Sequence, residues 1–114
     1  MKLTNSKKYL KRANNIIPAL SQTFSKAPYS YVEGQYPVYI KKGKGCKLTD
    51  VDNNEFIDYV LALGPVSLGY CYKKIDDAVN QQLKNGISFS MPHHLEVEFS
   101  EKLLAAGIPA GPVR

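Results

Sequence analysis

Asp50, Asp52 and Asn54 are oxygen-bearing side chains at alternate positions, the opening of a calcium-binding loop. The sixth place of such a loop needs glycine and the twelfth a bidentate glutamate. Here those places hold Glu55 and Leu61, so the EF-hand pattern fails. Gly43-Lys44-Gly45 begins like a dinucleotide fingerprint, but the third glycine is missing and a strand follows instead of a helix. A turn is the better reading. His93 and His94 are adjacent, and neighbours on a helix point about 100° apart. With no cysteine or carboxylate at ligand spacing, they do not make a zinc pattern. No spacing suggests a Ser-His-Asp set, which is assembled in space anyway. Cys46 and Cys71 make no disulfide framework and read as free thiols of a reducing cytosol, which gives a cytoplasmic expectation.

The elements that must position these residues are partly legible. Thr4 or Asn5 could cap a first helix over 6–17, ended by Pro18. Tyr9, Leu10, Ala13, Ile16 and Ile17 would form its packing stripe. Residues 19–36 have no period and read as an extended irregular segment, a kind of loop often used for function. A short strand over 37–42 leads through a turn at Gly43 and Gly45 into a hairpin. In that hairpin Cys46, Leu48 and Val51 precede a turn at Asp52-Asn53-Asn54, whose residues tolerate positive φ. Phe56 and Ile57 begin the return strand, so two or three antiparallel strands occupy 38–59. Residues 60–72 are broken by glycine. Helices are expected over 73–85, with Ile75, Ala78, Val79 and Leu83 on one face, and over 94–106, with Leu95, Phe99, Leu103 and Ala106 inward. Asn85-Gly86 and Gly107 suit their ends, and 87–92 is a loop.

The chain has 114 residues, 44% hydrophobic and 22% charged, which suits one ordinary domain or a piece of a larger one. No apolar run is long enough for a membrane span and no secretory core follows the first lysines. The net charge is +5, but acidic residues alternate with the basic ones and only Arg12 and Arg114 are arginines. A nucleic-acid face concentrates Arg and Lys with aromatic platforms, so nucleic acid is not an expected partner. The eight tyrosines are expected to be packing residues.

Several stretches resemble one family in wording and order. They are Ile17-Pro18 with Ser21-Gln22-Thr23-Phe24-Ser25-Lys26, then 49–59, Leu63-Gly64-Pro65, Leu68-Gly69-Tyr70, 86–92 and Leu95-Glu96-Val97-Glu98. Together they are similar to the start of class III (fold type I) pyridoxal-phosphate aminotransferases of the glutamate-1-semialdehyde 2,1-aminomutase group. The resemblance implies an α+β N-terminal segment with a helix, a small antiparallel sheet and two helices, lacking the large α/β cofactor domain. It implies pyridoxal phosphate as cofactor of the parent enzyme, whose ring serves as an electron sink. It also implies a small-molecule amino substrate and a homodimer. The family's Schiff-base lysine, pyridine-pairing aspartate and phosphate loop lie downstream, so catalytic residues are not expected here. Lys26, Lys41 and Lys73 read as surface lysines. The substrate side would be Ser21, Gln22 and Thr23, then Leu63, Gly64 and Pro65, then Ser88, Phe89 and Ser90, in a positioning role.

Three departures from that pattern matter. An arginine of the early loop, suited to a substrate carboxylate, is absent from 21–26. The aromatic residue before Gly-Pro is Leu63, and the usual Gly-His-x-His-Pro is Gly69-Tyr70-Cys71-Tyr72-Lys73. The first two favour an aminotransferase with another donor or acceptor over a mutase. The leading expectation is thus a segment of such an enzyme, inactive alone, with apolar helix faces that need covering. A non-catalytic interaction module derived from that fold would instead form a stable oligomer without cofactor. A basic domain for anionic partners would show salt-sensitive binding.

Overall fold

The computed structural model describes residues 1–32, 34–36 and 38–108. They form α1 (Thr4–Asn14), β1 (Ile40–Lys44), β2 (Lys47–Asp50), β3 (Glu55–Ile57), α2 (Lys73–Asn85) and α3 (His94–Ala105). Single 3-10 turns occupy Pro18–Leu20, Phe24–Lys26, Pro28–Ser30 and Leu61–Leu63. The chain divides into two bodies, Met1–Asp76 and the part from Asp77 on. The expected α+β inventory is present. Pro37, expected to open a strand, and 109–114, expected to lead into the large domain, lie outside the described residues.

The three strands make one antiparallel sheet in the order β1-β2-β3. Lys44 pairs with Lys47, so Gly45 and Cys46 are the two residues of a tight hairpin turn. Gly45 takes φ +56°, which a glycine adopts without steric cost. Gly43, expected in that turn, instead lies within β1. The β1–β2 register slips between Ile40 and Lys42, a bulge that bends the strand. Leu48 faces Phe56 across β2 and β3. In the turn between them Asn53 alone of the three expected residues has positive φ, +67°.

Helix α1 begins earlier than expected and ends at Asn14. Pro18 opens a separate turn, because proline fits the first position of a helical turn and cannot continue an existing one. Neither Thr4 nor Asn5 caps the helix. The cap comes from 47 residues away in sequence: Asp52 Oδ1 accepts from the Asn5 N–H at 2.7 Å, and Asp52 Oδ2 from the Ser6 N–H at 2.8 Å. An aspartate at a helix N-terminus satisfies orphan donors and meets the positive end of the dipole.

Burial is concentrated in the first body. Ala13, Ala27, Ser6, Asp50 and Asp52 are the buried residues among those described, and none lies beyond Asp77. Tyr9 and Tyr39 meet ring to ring at 5.7 Å. The tyrosines pack less than expected: Tyr9, Tyr29, Tyr31, Tyr59 and Tyr72 are exposed. On α2 and α3 the expected inner faces are open too, with Ile75, Val79, Leu83, Leu95 and Phe99 all exposed. No helix among the described residues is long and apolar enough to cross a membrane.

Candidate functional site

The carboxylates that resemble a calcium loop are consumed by the fold. Asp50 Oδ1 accepts from the N–H groups of Asp52 and Asn54 at 2.9 and 2.8 Å, and Oδ2 accepts from Asn54 Nδ2 at 2.7 Å. Asn54 Nδ2 also donates to the Lys2 carbonyl at 2.6 Å. Burial by itself would raise the Asp52 pKa. The N–H donors of Asn5 and Ser6 outweigh it and hold the carboxyl below its ordinary value, with Lys2 adding attraction. No group of three metal-ligating side chains is found among the described residues. The two histidines are spoken for as well. His93 caps α3, its Nδ1 accepting from the Leu95 N–H at 3.3 Å while Glu96 Oε1 accepts from the His93 N–H at 2.8 Å. His94 Nε2 lies 3.8 Å from Glu98 Oε1.

A second aspartate organises a different loop. Asp58 Oδ1 accepts from the N–H groups of Val60 and Leu61 at 2.9 and 3.1 Å. Its Oδ2 accepts from the Tyr70 hydroxyl at 2.6 Å. Tyr70 is tied by two backbone bonds to Gly45, at 2.9 and 2.8 Å. Its ring lies on Gly43, where an added Cβ would stand 2.5 Å from Tyr70 Cγ. The glycines that begin like a dinucleotide fingerprint therefore seat a tyrosine. The Tyr70 hydroxyl holds the Asp58 carboxyl below its ordinary value against burial, helped by the N–H groups of Val60 and Leu61. The same bond, with burial and the charge of Asp58, pushes Tyr70 up to about 12.

The loop so held contains Leu61, Ala62 and Leu63 at φ +49°, +52° and +66°, followed by Gly64 at +113°. Left-handed backbone costs a non-glycine residue roughly 1–2 kcal/mol. Besides the two bonds from Asp58, the Leu63 N–H donates to the Val60 carbonyl and the Gly64 N–H to the Leu61 carbonyl, both at 2.9 Å. Leu63 stays 69% exposed, so the turn does not bury it.

The other two groups expected on the substrate side lie apart in the chain. Ser21 is half-buried and its Oγ accepts from the Thr23 N–H at 3.4 Å, while Gln22 and Thr23 are exposed. Ser88 and Phe89 line an open depression of about 310 Å³ in the second body, with Gln82, His93 and Glu96 among its walls. The Phe89 and His93 rings are stacked there, 5.1 Å between centroids and 6° between planes. Ser90 is exposed. One backbone signature links all three groups. Ala19 and Leu20 precede Ser21, Leu61 to Leu63 precede Gly64, and Ser88 itself has φ +58°. These six account for all but Asn53 and Cys71 of the left-handed non-glycine residues described. Strain of this kind gathers at sites where geometry is over-determined. Composition could not reveal it, since leucine and alanine carry no signal for positive φ.

The described residues thus carry three helices, a small antiparallel sheet and turns with left-handed non-glycine backbone. The sequence profile of the aminotransferase class-III family matches residues 29–111, and the chain belongs to that family. It is 41% identical over 106 residues to a glutamate-1-semialdehyde 2,1-aminomutase of Natranaerobius thermophilus, covering 93% of this chain and 24% of that protein. It is 38% identical over 104 residues to a 3-aminobutyryl-CoA aminotransferase of Cloacimonas acidaminovorans, covering 90% and 25%. A transaminase solved with PLP bound superposes with a TM-score of 0.77 at 30% identity, over 92% of this chain and 24% of that one. The chain thus spans about a quarter of the length of the relatives it matches.

The described residues do not fit as an anchor for pyridoxal phosphate. A lysine that forms a Schiff base needs a desolvated pocket or a cationic neighbour to become nucleophilic. Every lysine here is exposed. Lys26, Lys41 and Lys73 lie on the surface as expected.

Proposed function

We propose that this chain is the N-terminal, substrate-side segment of a pyridoxal-phosphate-dependent class III aminotransferase that works as a cytoplasmic homodimer. The observation that carries this reading is the agreement over 92% of the chain with a PLP-bound transaminase. The segment supplies positioning surface, and the cofactor's anchors come from polypeptide beyond it. Ser21, Gln22 and Thr23, Leu63, Gly64 and Pro65, and Ser88, Phe89 and Ser90 orient the non-reacting end of a small amino substrate. Support comes from the exposure of all but the half-buried Ser21 and from the left-handed residues in or beside each trio. Positioning of this sort removes entropy from the reacting encounter. The open apolar faces of α2 and α3 are covered by the rest of the enzyme.

Within that class the reading favours transfer between separate donor and acceptor over the mutase reaction. A mutase substrate's carboxylate is best held by a bidentate arginine, and 21–26 contains none. Leu63 offers apolar contact where a stacking ring would otherwise cover the substrate. The test is turnover by the intact native polypeptide, supplied with pyridoxal phosphate, on glutamate-1-semialdehyde and on a panel of amino donors with keto acceptors. Transfer from a donor of the panel with little mutase turnover is expected. Mutase turnover alone would overturn the finer reading. A stable oligomer that binds no cofactor and turns over nothing would favour the non-catalytic interaction module.

A further inference from the structure

The loop over 58–70 is built at some expense and buries little of its own surface. Three successive non-glycine residues are left-handed, yet Leu63, Gly64 and Pro65 are exposed. A turn kept only to fill a core would hide its side chains. One carboxylate secures both ends of this loop: Asp58 Oδ1 takes the N–H groups of Val60 and Leu61, and Oδ2 takes the Tyr70 hydroxyl. Tyr70 cannot easily move. Its backbone is paired with Gly45 on both sides and its ring rests on Gly43. The rigid hairpin is thereby connected, through one phenol and one carboxylate, to a turn that would otherwise relax to right-handed backbone.

We propose that Asp58 and Tyr70 are positioning residues: seated on Gly43, they lock Leu61, Ala62 and Leu63 in the left-handed turn from which Leu63 and Gly64 cover a small amino substrate. This rests on the reading above that the loop faces substrate. Neither residue touches the reacting atoms. Their loss therefore weakens binding of the substrate more than it slows the chemical step.

Two readouts on the intact native polypeptide test it, comparing wild type with Tyr70→Phe and Asp58→Asn. Tyr70→Phe removes one oxygen and keeps the ring on Gly43. It is expected to speed amide hydrogen exchange at Leu63 and Gly64 about tenfold, the loss of one charge-assisted hydrogen bond. Exchange in the hairpin should stay unchanged. KM for the amino donor should rise by a similar factor while kcat stays within about twofold. Asp58→Asn should exceed both effects, and if it also loosens the hairpin, Tyr70→Phe decides. Unchanged loop exchange in Tyr70→Phe would overturn the clamp. Faster exchange with an unchanged KM would overturn the substrate role. A wild type that turns over no amino substrate would overturn the functional reading and the substrate role with it. The exchange result would then still judge the clamp by itself.

Discussion

Two aspartates six positions apart, Asp52 and Asp58, do the same chemistry for opposite ends. Each carboxylate gathers two backbone N–H groups. Asp52 is buried and joins the hairpin turn to the start of α1, and Asp50 beside it is completely buried and bonds the same turn internally. Asp58 is half-buried and holds a left-handed turn whose tip stays in solvent. The first arrangement lowers the free energy of the fold. The second keeps a costly shape that adds nothing to the core. The contrast teaches that a carboxylate cluster resembling a ligand site can be wholly structural, while strain kept without burial is what the proposed positioning role would explain.

The sharpest way to break this contrast is Asp50→Ala. It leaves the N–H groups of Asp52 and Asn54 without their acceptor in a buried turn and is expected to cost about 3 kcal/mol in denaturant unfolding. A loss below ~1 kcal/mol would mean the turn is not the structural member of the pair. Gly43→Ala comes next. The new Cβ would meet the Tyr70 ring at 2.5 Å, so the ring must shift away from Asp58. Overpacking of this kind costs about 1–3 kcal/mol, and the 58–70 loop should exchange faster with it.

The two sites also separate by pH. Asp52 and Asp58 have lowered pKa values in the fold, so their contribution is complete above the unfolded carboxyl value and is lost as pH falls through the folded one. Tyr70 is raised to about 12, so its contribution is complete below pH 10 and is lost as pH climbs from there toward 12. Stability followed against pH should therefore show an acid limb from both turns and an alkaline limb to which the loop contributes through Tyr70, beside Tyr39, whose hydroxyl is also raised by burial. Tyr70→Phe should remove Tyr70's part of the alkaline limb and weaken the Asp58 part of the acid limb, leaving that of Asp52. The smallest effect is expected at Lys47 and Glu55, 3.5 Å apart with both side chains mostly in solvent. Glu55→Gln should change stability by less than about 0.5 kcal/mol. A larger loss would shift weight from the turns to the strand surface.

Much of the fold was legible because its signals are local. Helix α2 has the bounds that its apolar period and Asn85-Gly86 imply. Asn53 takes the positive φ that asparagine tolerates. What escaped notice depends on distant partners. The cap of α1 comes from Asp52 on another element, and no pattern near Thr4 announces it. Without that signal the expected start falls two residues late, and Ile16 and Ile17 carry the apolar period three residues past the observed end. The cap at His93 was not expected because it lacks the usual Ser or Thr, although Glu96 three residues on was a signal. The resemblance pointed to the three substrate-side trios. The left-handed leucines and alanines beside them were invisible, since nothing in those side chains favours that backbone.

The most direct test of the central claim is the mass of the native polypeptide from its source cell, measured after borohydride reduction has fixed any lysine-bound pyridoxal phosphate. The account predicts a mass several times the 12.7 kDa of this chain, with the pyridoxyl group on a lysine outside residues 1–114. A mass near 12.7 kDa without a pyridoxyl group would contradict it.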